Sequence, residues 1–223
     1  MSRGIEQSGV DILGFSYARP MGAARSSGTE GYGETADERV KQYESIGFAD
    51  VHSDILHLFP ATPSQIIDIG AGTGRDAAAF AERGHGVTAV EPTPELRAAA
   101  ERLHARWLIT WIDDSLPDLD RVHERGERYD VVMLTAVWMH LDAGQRERAM
   151  ARVAPLVRPG GLMALSLRHG PVPAGRRMFE VSAQETGALA RRYGLATIHE
   201  SKGPALLGGP AVWWDRLAFR AQR

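Results

Sequence analysis

The chain has 223 residues, room for one large domain and a short arm but not for two full domains and a linker. Its formal charge is −2, from 26 Lys+Arg against 28 Asp+Glu, which argues against non-specific attraction to nucleic acid or to an anionic membrane. Cysteine is absent, which excludes disulfides, thiolate metal sites and cysteine nucleophiles.

The N-terminal residues MSRGIEQSGV lack the apolar core of a signal peptide. The longest strongly apolar stretch, 131–139, is far shorter than the roughly 20 residues that span a bilayer. A cytoplasmic location is therefore expected, with no membrane partner. Residues 1–34, rich in Gly, Ser, Ala and Arg, are read as a flexible arm. Val40, Tyr43 and Ile46 recur at helical spacing and predict a helix over 35–47 that Gly47 ends. Val51, Ile55 and Leu58 predict a second helix over 50–58, stopped by Pro60 and Pro63. Residues 35–63 thus form a cap of helices ahead of a main domain over 64–223.

From residue 64 strands and helices alternate. Strands are expected over 65–69, 86–90, 107–112, 129–135 and 162–168. Helices are expected over 74–82, 94–103, 143–157 and 182–193, with the sequence RPGG at 158–161 as a turn. Two last strands, near 195–201 and 212–219, have only a loop between them and are expected to pair as a hairpin. The order implies an α/β fold, a Rossmann-like three-layer sandwich with a mostly parallel sheet and one antiparallel strand. Trp213 and Trp214 straddle the last strand, so one is expected inside and the other outward or toward a partner.

In such sheets ligands bind at the carboxyl ends of the strands, where strand order reverses. After strand one comes Asp68-Ile69-Gly70-Ala71-Gly72-Thr73-Gly74. Three alternating glycines exceed what a plain turn needs and point to a nucleotide-like ligand that approaches the backbone closely. Asp68, two residues before the first glycine, would repel a pyrophosphate and attract an ammonium group. S-adenosylmethionine (SAM), cationic and free of phosphate, fits that description. Glu91, followed by Pro92, ends strand two and is placed to accept both ribose hydroxyls; otherwise it is a solvated surface acid. After strand three, Asp113 or Asp114 is a candidate acceptor for the adenine amino group, with Ser115 or Leu116 offering a backbone N–H; a simple turn is the competing reading.

The segments IIDIGAGTGRD, TAVEP, IDDSLP, YDVVMLTAVWMHL and LVRPGGLMALS, in this order, resemble the class I SAM-dependent methyltransferases. The resemblance runs over about 64–220 and implies a seven-stranded sheet whose last strand is antiparallel, with S-adenosylhomocysteine (SAH) as product. It implies that Asp68, Gly70, Ala71, Gly72, Thr73 and Gly74 surround the methionine part of SAM and that Glu91 takes the ribose. By the same token Asp113, Asp114 and Ser115 meet the adenine, and Thr135 lies beside the methionine part. An N-terminal helix often closes over the cofactor in this family, which makes Tyr43 and Arg39 candidates for contact; core packing is the alternative for Tyr43.

Methyl transfer from a sulfonium needs alignment and exclusion of water, and a base only where the nucleophile arrives protonated. His140, in the loop after strand four, is the first candidate base and His169 the second; a backbone-bonded structural histidine is the alternative. Trp138 is expected either to wall the site or to pack in the core. No Asn/Asp-Pro-Pro-aromatic motif follows strand four, which favours a small-molecule acceptor over nucleic acid. Residues 1–47, 169–181 and 202–211 are the expected lid and pocket walls. A SAM-binding sensor or scaffold without transfer activity is the alternative function, and an NAD(P)-dependent reductase is a third. The acceptor atom and the oligomeric state stay open.

Overall fold

The computed structural model describes residues 36–207 and 209–223, with side chains from residue 40 onward. The expected arm over 1–34 and the side chain of Arg39 lie outside the described residues. Two short helices come first, α1 (Ala36–Glu44) and α2 (Phe48–Val51), followed by a 3-10 turn at Leu56–Leu58. The continuous helix expected over 50–58 does not form. The chain turns at His52, whose ring bonds the buried carboxylate of Asp76, so a tertiary bond overrides the local periodicity.

The main domain runs β1 (Gln65–Ile69), α3 (Arg75–Glu82), β2 (Gly86–Val90), α4 (Pro94–Leu103), β3 (Ile109–Ile112), α5 (Asp120–Glu124), β4 (Tyr129–Leu134), α6 (Ala143–Val153), β5 (Val157–His169), α7 (Ala183–Arg192), β6 (Leu195–Pro204) and β7 (Trp213–Ala221). The seven strands form one sheet in the order β3-β2-β1-β4-β5-β7-β6. Strands β1 to β5 are mutually parallel, and β7 runs antiparallel to both β5 and β6. The expected α/β sandwich with its antiparallel last strand is therefore present. Strand order reverses between β1 and β4, which places a crevice at the carboxyl ends of those two strands.

Period-2 alternation sends each strand's side chains to two cores. Ile66, Val131, Leu162 and Ala218 pack with Phe48, Ala77 and Phe80 on the α3 face. Ile67, Val132, Met163 and Phe219 pack with Met150, Val153 and Leu189 on the face of α6 and α7. Helix starts follow local chemistry. At α6 the Asp142 carboxylate accepts the Gln145 amide and the Gln145 side chain accepts the Asp142 amide, a reciprocal capping box. At α7 the Ser182 hydroxyl accepts the Glu185 amide.

Several boundaries differ from expectation, among them the helix expected over 143–157, which ends at Val153. The third strand begins at Ile109 rather than 107. The turn expected at 158–161 is a loop-out inside a longer β5: Tyr129 pairs with Val157 and Val131 with Leu162, so the intervening residues bulge, with Gly160 at φ 77°. Helix α5 carries no clear sequence signal; it is held by the Asp114 carboxylate, which accepts the Val122 amide. No described helix is long and apolar enough to cross a membrane.

Candidate functional site: an acidic and basic cavity over the strand ends

A cavity of about 510 Å³ opens over the carboxyl ends of β1, β2, β4 and β5. Of the residues singled out in the sequence, Asp68, Gly70, Ala71, Gly72, Thr73, Glu91, Pro92, Asp114, Ser115, Thr135, Tyr43 and His140 all line it. The expected walls contribute as well: Gln42 and Ile46 from the N-terminal segment, Pro173 and Met178 from 169–181, and Leu206 and Leu207 from 202–211.

The glycine loop leaves β1 with Gly70, Gly72 and Gly74 all at positive φ, between 58° and 82°. At Gly70 this conformation meets a second constraint, because a Cβ there would lie 2.5 Å from Val137 Cγ2. Gly74 does not line the cavity. It starts α3, and a Cβ there would lie 2.8 Å from the Trp111 ring, so its role is packing.

Glu91 is not the solvated surface acid of the competing reading: it is 5% exposed. One carboxylate oxygen accepts the Gly72 amide at 2.8 Å and the other accepts the Thr93 amide at 2.8 Å. The side chain is thus locked between the glycine loop and the start of α4. Burial raises its pKa, and the two amide bonds only partly offset this. Asp68 is buried and accepts the Ala77 amide in the first turn of α3. Burial, with the nearby carboxylates of Asp76 and Glu91, pushes its pKa well up against the opposing pull of Arg75.

Asp76 is the centre of a polar cluster that sequence reasoning missed. His52 Nε2–H donates to it at 2.8 Å, Arg75 Nε at 2.8 Å and the Thr135 hydroxyl at 2.8 Å. Burial alone would raise its pKa, but His52 and Arg75 hold it well below the ordinary carboxylate range. The only available signal was an acid in the first turn of a helix, which is common; the partner lies 24 residues away. Thr73, in the loop, donates to Glu44 of α1 at 2.6 Å and so ties the N-terminal helix to the cavity rim.

Two expectations are corrected, and Trp138 takes the core-packing alternative. Asp113 does not line the cavity; it is exposed and pairs with Arg97 at 3.1 Å, while Asp114 faces inward with its oxygens accepting the Ser115 and Val122 amides. His169 does not line the cavity either. It stacks on Trp213 at 3.7 Å and sits 3.0 Å from Asp215, because alternation along β5 sends it to the other face. Trp138 is fully buried and belongs to the α6-side core. The adjacent tryptophans separate by function rather than burial: both are half-buried, but Trp214 lines the cavity and Trp213 lies between His169 and Lys202.

His140 lies at the end of a 3-10 turn, 7% exposed, with Nδ1 2.7 Å from the Arg177 carbonyl oxygen. A carbonyl only accepts, so Nδ1 carries the hydrogen and Nε2 is the basic nitrogen of the neutral ring.

A parallel sheet with a glycine loop, a buried strand-end acid at β1 and a second at β2 defines a nucleoside-binding α/β domain. Residues 66–161 match the family model described as methyltransferase domain. An uncharacterized methyltransferase of Mycobacterium tuberculosis is 33% identical over 112 residues, 48% of this chain and 41% of its own length. Rat glycine N-methyltransferase is 27% identical over 140 residues, 52% of this chain and 46% of its own. The chain thus spans less than half the length of these two relatives. Among solved structures, a TehB-like SAM-dependent methyltransferase from Corynebacterium glutamicum superposes with a TM-score of 0.62 at 17% identity, over 85% of this chain and 99% of that one. The Burkholderia thailandensis 1,6-didemethyltoxoflavin-N1-methyltransferase, solved with its acceptor and SAH, gives 0.60 at 24% identity over 84% and 87%. Residues 66–161 thus match a methyltransferase domain, and the fold is the one that SAM-dependent methyltransferases share.

Proposed function

We propose that this protein transfers the methyl group of SAM to a small-molecule acceptor and releases SAH. The observation that carries the reading is the pairing of Glu91 with the glycine loop. A buried acid bonded to the Gly72 amide stands beside a loop whose Gly72 Cβ position has nothing within 4 Å. That is a cradle a side chain would fill and a ligand's ribose can enter. Asp68 supplies a buried carboxyl that an ammonium group would hold ionised, whereas a pyrophosphate would oppose its ionisation. The cavity volume suits a ligand of that size, which lies within the range of about 300–1,000 Å³ typical of cofactor sites.

When bound, SAM supplies a methyl group already activated by its sulfonium leaving group. The chain then has three tasks: to fix the cofactor through Asp68 and Glu91, to hold the acceptor in line, and to exclude water. In this reading His140 takes a proton from an acceptor that arrives as a hydroxyl or ammonium. The proton goes to Nε2, and the Arg177 carbonyl at Nδ1–H stabilises the imidazolium that forms.

The test is calorimetry and thermal unfolding with SAH, SAM, NADH and NADPH. SAH and SAM are expected to bind and raise the melting temperature, and the dinucleotides are not. Glu91→Ala is expected to weaken SAH binding by about 2 kcal/mol, the order for hydrogen bonds to a charged acceptor, and Glu91→Gln by less. A shift with a dinucleotide and none with either adenosyl compound overturns the reading. Turnover on a broad acceptor panel separates a transferase from a SAM-binding sensor or scaffold.

A further inference from the structure

Apart from Arg75, which is paired with Asp76 at 2.8 Å, the charges that line the cavity are segregated. Asp68, Asp76, Glu91 and Asp114 all lie toward β1, β2 and β3. On the β5–β7 side the charged residues among the described ones are Arg168, Arg176 and Arg216. The sheet register sets two of these arginines side by side. In the antiparallel ladder Ser166 opposes Arg216 and Arg168 opposes Trp214, so all four side chains project from one face of the sheet, and all four line the cavity.

Each arginine is oriented by a backbone carbonyl. Arg168 Nη1 donates to the Pro171 carbonyl at 2.9 Å, and Arg216 Nε to the Val51 carbonyl at 3.1 Å. No described carboxylate pairs with Arg168. The nearest acid to Arg216 is Asp54, whose Oδ1 lies 3.9 Å from Nε while its Oδ2 is taken by His199 and Ser201, so Arg216 is only loosely paired. Arg168, half-buried and without a described carboxylate partner, favours an incoming anion, and its planar fork matches a carboxylate with two parallel hydrogen bonds. Beside it the wall is apolar: Trp214, Met178, Leu206 and Leu207.

Resting on the methyltransferase reading, we infer that the methyl acceptor is an organic anion with an apolar body, its carboxylate taken by Arg168 and Arg216 and its ring or chain laid against Trp214. The acidic half of the cavity holds the cationic cofactor and the basic half holds the anionic acceptor, so each ligand meets the charge that suits it.

The experiment uses SAH-loaded full-length protein and matched pairs of probes: 4-hydroxybenzoate against 4-hydroxybenzamide, anthranilate against 2-aminobenzamide, and indole-3-acetate against indole-3-acetamide. At least one carboxylate is expected to bind roughly ten-fold or more tightly than its carboxamide, the scale of a charge-assisted pair. Arg168→Gln is expected to shrink that preference to a factor of about three or less while SAH affinity holds, and Arg168→Lys is expected to keep only part of it, since an ammonium retains the charge but not the fork. The inference is overturned if none of the three carboxylates binds at about 10 mM, if the carboxamides bind as well, or if the preference survives in both Arg168→Gln and Arg216→Gln. Failure of SAH itself to bind is a different result, and it removes the methyltransferase reading beneath the inference.

Discussion

Asp68 carries an electrostatic cost that a cationic ligand relieves. Its pKa is raised by burial and by the neighbouring acids, so above the ordinary carboxylate range the folded protein holds a proton that the unfolded chain has lost. Stability therefore falls as pH rises through that interval, the reverse of a salt-bridged aspartate. An ammonium group favours the ionised form, so its binding expels the proton. SAH affinity is expected to climb with pH by up to about ten-fold per unit across the interval, with proton release visible as a buffer-dependent calorimetric enthalpy. Asp68→Asn is expected to abolish this slope, weaken SAH and stabilise the ligand-free protein at high pH by about 1 kcal/mol or more, the cost of a poorly compensated buried group. An unchanged affinity and slope in the variant would assign Asp68 to structure alone. The second residue-scale expectation concerns His140. His140→Ala should lower turnover by roughly 10²-fold on an acceptor that must lose a proton, while SAH affinity holds. Superimposable pH–rate profiles for the two proteins would leave alignment as the whole of catalysis.

At the scale of an element, the glycine loop between β1 and α3 separates two roles that look identical in sequence. Gly70 and Gly72 both have positive φ, 75° and 58°. A Cβ at Gly70 collides with Val137, whereas one at Gly72 meets only open cavity. Gly70→Ala is expected to cost about 1–3 kcal/mol of stability, since backbone strain and overpacking act together. Gly72→Ala carries only the left-handed penalty, about 1–2 kcal/mol, and its further effect falls on SAH affinity because the methyl group enters the cradle. Denaturant unfolding and calorimetry on both variants check this. If Gly72→Ala keeps full affinity, the loop is a turn and not a binding surface.

For the whole molecule, the contact to examine is the one that fastens the N-terminal segment to the far edge of the sheet. Asp54, just past α2, accepts from His199 at 3.2 Å and from Ser201 on β6, and lies 3.9 Å from Arg216 on β7. Burial tends to raise its pKa, but these partners outweigh burial and hold it below the ordinary value. The stabilisation is therefore present above the unfolded carboxylate pKa and is lost as pH falls through the depressed one. Because the group is partly exposed, its contribution is of order 1 kcal/mol or less. Wild-type protein is expected to lose more stability than Asp54→Asn when taken from neutral pH to about pH 3, measured by denaturant unfolding. Parallel curves for the two proteins would show that this contact contributes nothing to the closure of the Arg216 wall.

The sequence by itself determined the order of strands and helices, the antiparallel end of the sheet and the residues of the glycine loop. These follow from local causes: period-2 and period-3.6 burial, caps at Asp142 and Ser182, and glycines where φ is positive. It also located Asp68 and Glu91, because in a parallel sheet the end of a strand is at once a position in the chain and a position in space. Tertiary structure alone decided what depends on side-chain direction and on distant partners. It turned Asp114 inward and Asp113 outward, put His169 on the opposite face from Arg168, and sank Trp138 into the core. It broke the helix expected over 50–58 so that His52 could reach Asp76, and it set Arg168 beside Arg216 through a strand register spanning 48 positions of chain, since Arg168 and Trp214 are 46 apart and Ser166 and Arg216 are 50. No local pattern encodes such pairings, because burial and hydrogen bonding between distant segments are settled only when the sheet closes.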